Sequence, residues 1–198
     1  MTTTTKLVYL DTAIWASYII GKSDYHYGFA SVIIDKMEKG EYQVILSKLA
    51  MMETIDVIRK RITQNEKYDT AGLTEAKRNG IKKIIDGKIA QFIAATTEWE
   101  KDSKILMADG TASYRDFIHD SFLYILGYWG TIREDWKCGF CKGELKPNRY
   151  SYRGLGQYDF QHVRIAKILN ADEFVTTDKA FNDLNKTGKF LPLVFITN

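Results

Sequence analysis

Apolar positions along this chain recur with two different periods. Residues 6–10, Lys-Leu-Val-Tyr-Leu, form a short apolar run that stops at Asp11-Thr12, and residues 13–20 resume as a longer apolar stretch. That order predicts a strand feeding a helix with a polar pair at the junction. A second helix is predicted over residues 29–38, broken by Gly40, and a second strand over 42–46. From Ser47 onward Met51, Ile55, Ile58 and Ile62 are spaced four, three and four apart, which is one stripe of a helix for which Ser47 is a good N-cap. Further helices are predicted from about 73 to 99 and from about 114 to 128. The end of the chain returns to alternation, with a helix over 157–169, a strand over 173–177, a short helix over 179–184 and a last strand over 193–196. Strands separated by helices predict parallel βα units. The fold class is therefore α/β with a central parallel sheet, one domain over 1–198 whose stretch from about 63 to 153 reads as a mainly helical insertion with a loop.

Composition narrows the class. With 45% apolar and 27% charged residues the chain is neither disordered nor fibrous, and its length supports one sizeable core. No apolar run approaches the ~18 residues that cross a bilayer, and the run at residues 7–10 is cut by Asp11 before a signal-peptide core forms, so a soluble, cytoplasmic protein with no membrane partner is expected. A formal charge of +3 is too small to identify a partner by itself.

Ligands of an open parallel sheet sit beyond the C-terminal ends of its strands. Asp11 ends L-V-Y-L-D and Asp178 ends F-V-T-T-D, each before a helix, so each reads either as a helix N-cap or as a group facing that crevice. Glu53 has Leu49 and Val57 as its i±4 neighbours, with no cation placed to pair with it. It is either an edge-of-surface Glu or a partly buried carboxylate in need of compensation. Asp159 opens a helix in which Val163 and Ala166 lie four and seven positions on, so it projects toward the core side, again as cap or as site residue. Four carboxylates converging on one crevice would repel one another unless divalent cations lay between them. All-oxygen ligands favour Mg²⁺ or Mn²⁺ over zinc, and such ions support phosphodiester hydrolysis.

The segments L-V-Y-L-D11-T, L-S47-K-L-A-M-M-E53, Y-D159-F-Q-H-V-R-I-A-K-I-L-N-A and F-V-T-T-D178-K-A-F, in that order, resemble the PIN domain, the fold of many metal-dependent ribonucleases including the VapC toxins. The resemblance covers roughly residues 5–62 and 154–198. It implies a PIN-like three-layer α/β/α fold and a Mg²⁺- or Mn²⁺-dependent endoribonuclease. Asp11, Glu53, Asp159 and Asp178 would be the catalytic and metal-binding set, with the hydroxyls of Ser47 and Thr177 as supporting groups. It also implies RNA as the partner, a homodimer, and an antitoxin protein as a candidate partner. The stretch between Glu53 and Asp159 is much longer than in compact toxin members.

Residues 129–153 are rich in Gly and aromatics, and carry six Lys or Arg against three Asp or Glu. Lys142, Lys146, Arg149 and Arg153, interleaved with aromatic side chains, are candidate RNA contacts; the alternative is a local core with a basic rim. Cys138 and Cys141 in C-G-F-C make half of a four-ligand zinc site, and read equally as a reduced pair in a turn or an easily oxidised disulfide. His162, a lone histidine in the helix after Asp159, reads as a packed or surface residue. The rival to an enzyme is a PIN-like RNA-binding or scaffold protein with little turnover. An aspartyl-phosphate phosphatase is set aside because the position two after Asp11 is Ala13.

Overall fold

The structure, a computed structural model, describes residues 5–65, 74–108, 157–181 and 193–195. The expected helix at 114–128 and the stretch holding Cys138, Cys141, Lys142, Lys146, Arg149 and Arg153 lie outside the described residues. The elements are β1 (Lys6–Leu10), α1 (Thr12–Ile20), α2 (Tyr27–Glu38), β2 (Tyr42–Ser47), α3 (Lys48–Asn65), α4 (Glu75–Lys101), β3 (Ile105–Ala108), α5 (Gln157–Ile168), β4 (Glu173–Thr176), a 3₁₀ turn (Lys179–Phe181) and β5 (Leu193–Phe195). They build an α/β fold. Its five strands pair in parallel in the order β3-β2-β1-β4-β5, with helices flanking the sheet.

β1 is the central strand, and Val8, Tyr9 and Leu10 are all completely buried, as expected of a parallel strand covered on both faces. The chain moves outward from β1 through β2 to β3, then returns to the other side of β1 for β4 and β5. Right-handed crossovers along such a path put α1 to α4 on one face and α5 on the other. Packing agrees. On the first face Trp15 of α1 meets Phe92 and Trp99 of α4 at centroid distances of 6.2 and 6.1 Å. On the second, Tyr9 stacks on Phe174 at 5.5 Å and meets the His162 ring of α5 at 5.7 Å.

Residues 75–108 therefore belong to this core and do not stand apart from it. Phe92 is completely buried, and Ile105–Ala108, within the stretch read as a helical insertion, is the strand beside β2. Its four residues follow a 27-residue helix after a turn of three residues, which hid them from the periodicity.

Three helices end in one geometry. The amide of Gly40 donates to Met37 O and that of Glu41 to Lys36 O at the end of α2. At the end of α4, Ser103 donates to Glu100 O and Lys104 to Trp99 O; at the end of α5, Asn170 donates to Lys167 O and Ala171 to Ala166 O. Each is a Schellman turn with a left-handed residue outside the helix, φ 75° at Gly40, 58° at Ser103 and 54° at Asn170. These turns deliver the chain into β2, β3 and β4. Among the described residues no helix is long and apolar enough to cross a membrane.

Candidate functional site

Side chains alternate along a strand, so register decides which residues share a face. Tyr9 pairs with Ile45 of β2 and Phe174 of β4. Two residues further along each strand come Asp11, Ser47 and Thr176, which therefore line up at the carboxyl ends of three neighbouring strands on the face covered by α5. Between β1 and β4 the direction of the strand order reverses, the place where ligands of open α/β sheets bind. Asp11 and Thr176 flank that point.

Asp11 occupies the N-cap position of α1, yet its carboxylate makes no cap hydrogen bond. Its Oδ2 accepts from Thr176 Oγ1 at 2.6 Å and its Oδ1 from Thr12 Oγ1 at 3.2 Å, while its own amide donates to Val175 O. The residue is 5% exposed. Among the described residues no cation pairs with it, so a carboxylate almost out of water is stabilised by hydroxyls alone.

Thr176 does more than hold Asp11. Its Oγ1 also accepts from the Asp178 amide at 3.0 Å, which fixes the turn leaving β4. The hydroxyl reaching Asp11 is thus Thr176's, where the sequence pointed to Thr177. Thr176 shares the face of Phe174 and Asp11, and Thr177 falls out of that row. Asp178 is exposed, and its Oδ1 accepts from the Ala180 amide at 2.8 Å, capping the 3₁₀ turn. A side-chain capping bond is present at Asp178 and absent at Asp11.

Glu53 is satisfied from across the fold. Its Oε2 lies 2.5 Å from His162 Nε2, and its side chain is 27% exposed. His162 is completely buried, and its Nδ1 lies 2.6 Å from the Tyr9 hydroxyl, which in turn lies 2.7 Å from Ser47 Oγ. Ser47 Oγ accepts from the Ala50 amide at 3.1 Å, the N-cap bond expected of it. Burial pushes the Tyr9 phenol well above its ordinary value; the Ser47 hydrogen bond opposes this, and the charges of Asp11 and Glu53 add to it. Both carboxylates therefore act on the one phenol. Half-buried Asp159 stands in the first turn of α5, three residues before His162 and on its side of the helix.

The side chains gather in two hydrogen-bonded groups, Asp11 with Thr176 and Thr12, and Glu53 with His162, Tyr9 and Ser47, while the exposed Asp178 carboxylate stays with its own turn. Among the described residues no three His, Cys, Asp or Glu side chains lie close enough to hold one metal ion between them. The donor chemistry nevertheless suits a hard divalent cation. Mg²⁺ keeps several waters and needs only one or two carboxylates, and Asp11 is a buried carboxylate with no cation partner among the described residues. His162, read from the sequence as a packed or surface residue, is the side chain that reaches Glu53.

A cleft at the opposite, amino-terminal end of the strands is lined by Glu38, Tyr42, Gln43, Ser103 and Lys104. Its carboxylates are already partnered, because Lys104 pairs with both Glu38 and the cleft's Asp102, and Glu38 also accepts from Trp99 Nε1. Among the described residues no cation pairs with Asp11, at the other end.

No protein-family model matches the chain, and no curated relative is found. Among solved structures it is similar to the Mycobacterium tuberculosis toxin VapC20, described as sarcin-ricin loop cleaving, with a TM-score of 0.48 and 12% identity over 93% of this chain and 96% of that one.

Proposed function

We propose that this chain is a Mg²⁺- or Mn²⁺-dependent endoribonuclease of PIN type, with RNA as substrate and Asp11, Glu53, Asp159 and Asp178 as its acidic set. One observation carries the reading: the Asp11 carboxylate is buried at the switch point of the sheet, released from capping and unpaired by any cation among the described residues. An anion in that setting is stabilised by a cation from outside the chain. A bound divalent ion would polarise a phosphodiester and ease the deprotonation of a water.

The chain's own residues do the rest. Asp11 is the principal ligand, oriented by the Thr176 and Thr12 hydroxyls. Glu53 brings a second carboxylate, held from behind by His162. Asp159 and Asp178 stand on the elements that border the crevice, α5 and the turn after β4, where they attract ions and orient water. Residues 129–153 would bind RNA through Lys142, Lys146, Arg149 and Arg153. A homodimer and an antitoxin partner follow from the sequence resemblance and belong to the same proposal.

The test is cleavage of structured and unstructured RNAs with Mg²⁺, with Mn²⁺ and with EDTA. Metal-dependent cutting that Asp11→Asn abolishes is the expected result; equal cutting in EDTA overturns the mechanism. The second reading, an RNA-binding or scaffold protein with little turnover, draws on the absence of a three-ligand cluster among the described residues. It predicts RNA binding without cleavage under every metal condition.

A further inference from the structure

We propose that Tyr9 and His162 are positioning residues that lock the Glu53 carboxylate for metal binding, through one hydrogen-bonded relay running from the N-cap of α3 to Glu53 of the same helix. The inference rests on the metal-dependent reading above and assigns work to two residues outside the acidic set.

Proton counting gives the relay one direction. The Ala50 amide donates to Ser47 Oγ, so the serine hydroxyl is free to donate to Tyr9. The phenol oxygen accepts that proton, and its own O–H is left to donate to His162 Nδ1. The imidazole then carries its proton on Nε2 and donates to Glu53 Oε2. Every donor along the relay spends its proton, and each linking acceptor receives one. If Nδ1 carried a proton instead, the phenol would have to donate to Ser47, leaving the buried serine proton with no acceptor among the described residues.

Geometry shows what the relay accomplishes. Ser47 and Glu53 stand at the start of α3, Tyr9 on the central strand and His162 on α5, so the four groups join three elements that converge at the carboxyl end of the sheet. The imidazole is wedged against the Tyr9 ring and cannot turn without breaking both bonds. Of the Glu53 carboxylate, Oε2 is taken and Oε1 has no bond among the described residues. A partly exposed glutamate is thereby fixed in one orientation with one oxygen available. Hydrogen-bond partners behind metal ligands work this way, and their loss costs about 10- to 100-fold in affinity.

Two measurements on the full chain test this. The first is the ¹⁵N spectrum of the His162 ring in metal-free protein, expected to show a protonated Nε2 and an unprotonated Nδ1, with Tyr9→Phe mixing the two forms. A protonated Nδ1 in the wild type overturns the relay. The second is Mn²⁺ affinity by calorimetry. His162→Phe, which keeps a ring and loses both bonds, is expected to weaken Mn²⁺ about 10- to 100-fold, and His162→Gln, which can still donate to Glu53, to recover most of that loss. Chemical denaturation of each variant separates a folding defect from a positioning defect, and Tyr9→Phe repeats the affinity test from the other side of the imidazole. If Glu53→Gln loses Mn²⁺ while folded His162→Phe and Tyr9→Phe bind it as the wild type does, the positioning role falls and the metal reading stands. If the wild type takes up no Mn²⁺, the metal reading falls and with it the positioning role, while the spectrum still decides the relay.

Discussion

Thr176 Oγ1 stands 2.6 Å from Asp11 Oδ2 and 3.0 Å from the Asp178 amide, so one hydroxyl ties the ends of β1 and β4 together across the switch point. Thr176→Val keeps the shape and removes the donor. We expect it to cost about 1.5–3 kcal/mol of stability, the scale of a hydrogen bond to a charged group. Mn²⁺ affinity should fall as well, and Thr176→Ser should restore both. Urea denaturation and calorimetry check the pair of effects.

Asp11→Asn separates chemistry from stability. The amide removes a buried charge that no cation among the described residues pairs, so metal-free protein should be at least as stable as the wild type. Single-turnover RNA cleavage should fall by roughly a hundredfold or more, the scale of losing one group that stabilises developing charge. A loss of stability to match the loss of activity would argue for a purely structural aspartate.

Acid weakens the contact between α1 and α3. Arg61 of α3 donates to Ser17 Oγ at 2.7 Å and to Asp24 Oδ2 at 2.8 Å, and the Asp24 side chain is 6% exposed. Burial raises the Asp24 carboxyl, but the His26 amide, the Ser17 hydroxyl and Arg61 outweigh it and hold the group below its ordinary value. A depressed carboxyl contributes stability above its unfolded value, about 3.9, and loses it as pH falls toward its folded value. Urea midpoints from pH 7 down to 2.5 should therefore drop below about pH 4, and Asp24→Asn should flatten that drop.

Ser103 spends a left-handed conformation, φ 58°, that glycine adopts without strain. Ser103→Gly should stabilise the protein by up to about 1 kcal/mol, and Gly40→Ala, at φ 75°, should destabilise it by about 1–2 kcal/mol. Thermal denaturation reads both.

Salt dependence tests the basic segment. Replacing Lys142, Lys146, Arg149 and Arg153 with Ala should weaken RNA binding and reduce the slope of log K against log salt by about 0.7 for each phosphate that the variant no longer neutralises. Metal affinity should not change. An unaltered slope would mean that RNA enters by another route.

Local periodicity made most of the sheet legible, because β1, β2 and β4 are short apolar runs bounded by a carboxylate, a serine or a glycine. The Ser47 cap was legible for the same reason, since a cap acts on its own helix. What stayed hidden depends on register or on distant pairing. Choosing Thr176 over Thr177 requires knowing that Tyr9 faces Phe174, a cross-strand fact with no local trace. His162 looked like an ordinary packed histidine because its partners lie 153 and 109 positions away. The roles of Asp11 and Asp178, identical as sequence signals, separated only when hydroxyls claimed one carboxylate and a backbone amide the other.

The Schellman turns at Gly40, Ser103 and Asn170 bear on how this protein can vary. They shape the amino end of the sheet through main-chain bonds, with ion pairs such as Lys6–Glu173 beside them, whereas the carboxyl end is joined by the side-chain bonds of Tyr9, Ser47, Asp11 and Thr176. The six residues of β2 span about 20 Å, beyond the 7–10 Å within which substitutions ordinarily couple. Changes at one end should then add to changes at the other with little epistasis. Selection could exchange residues around Asp11 and Glu53, and so alter what is bound or cut, on a scaffold whose turns neither register nor constrain the change.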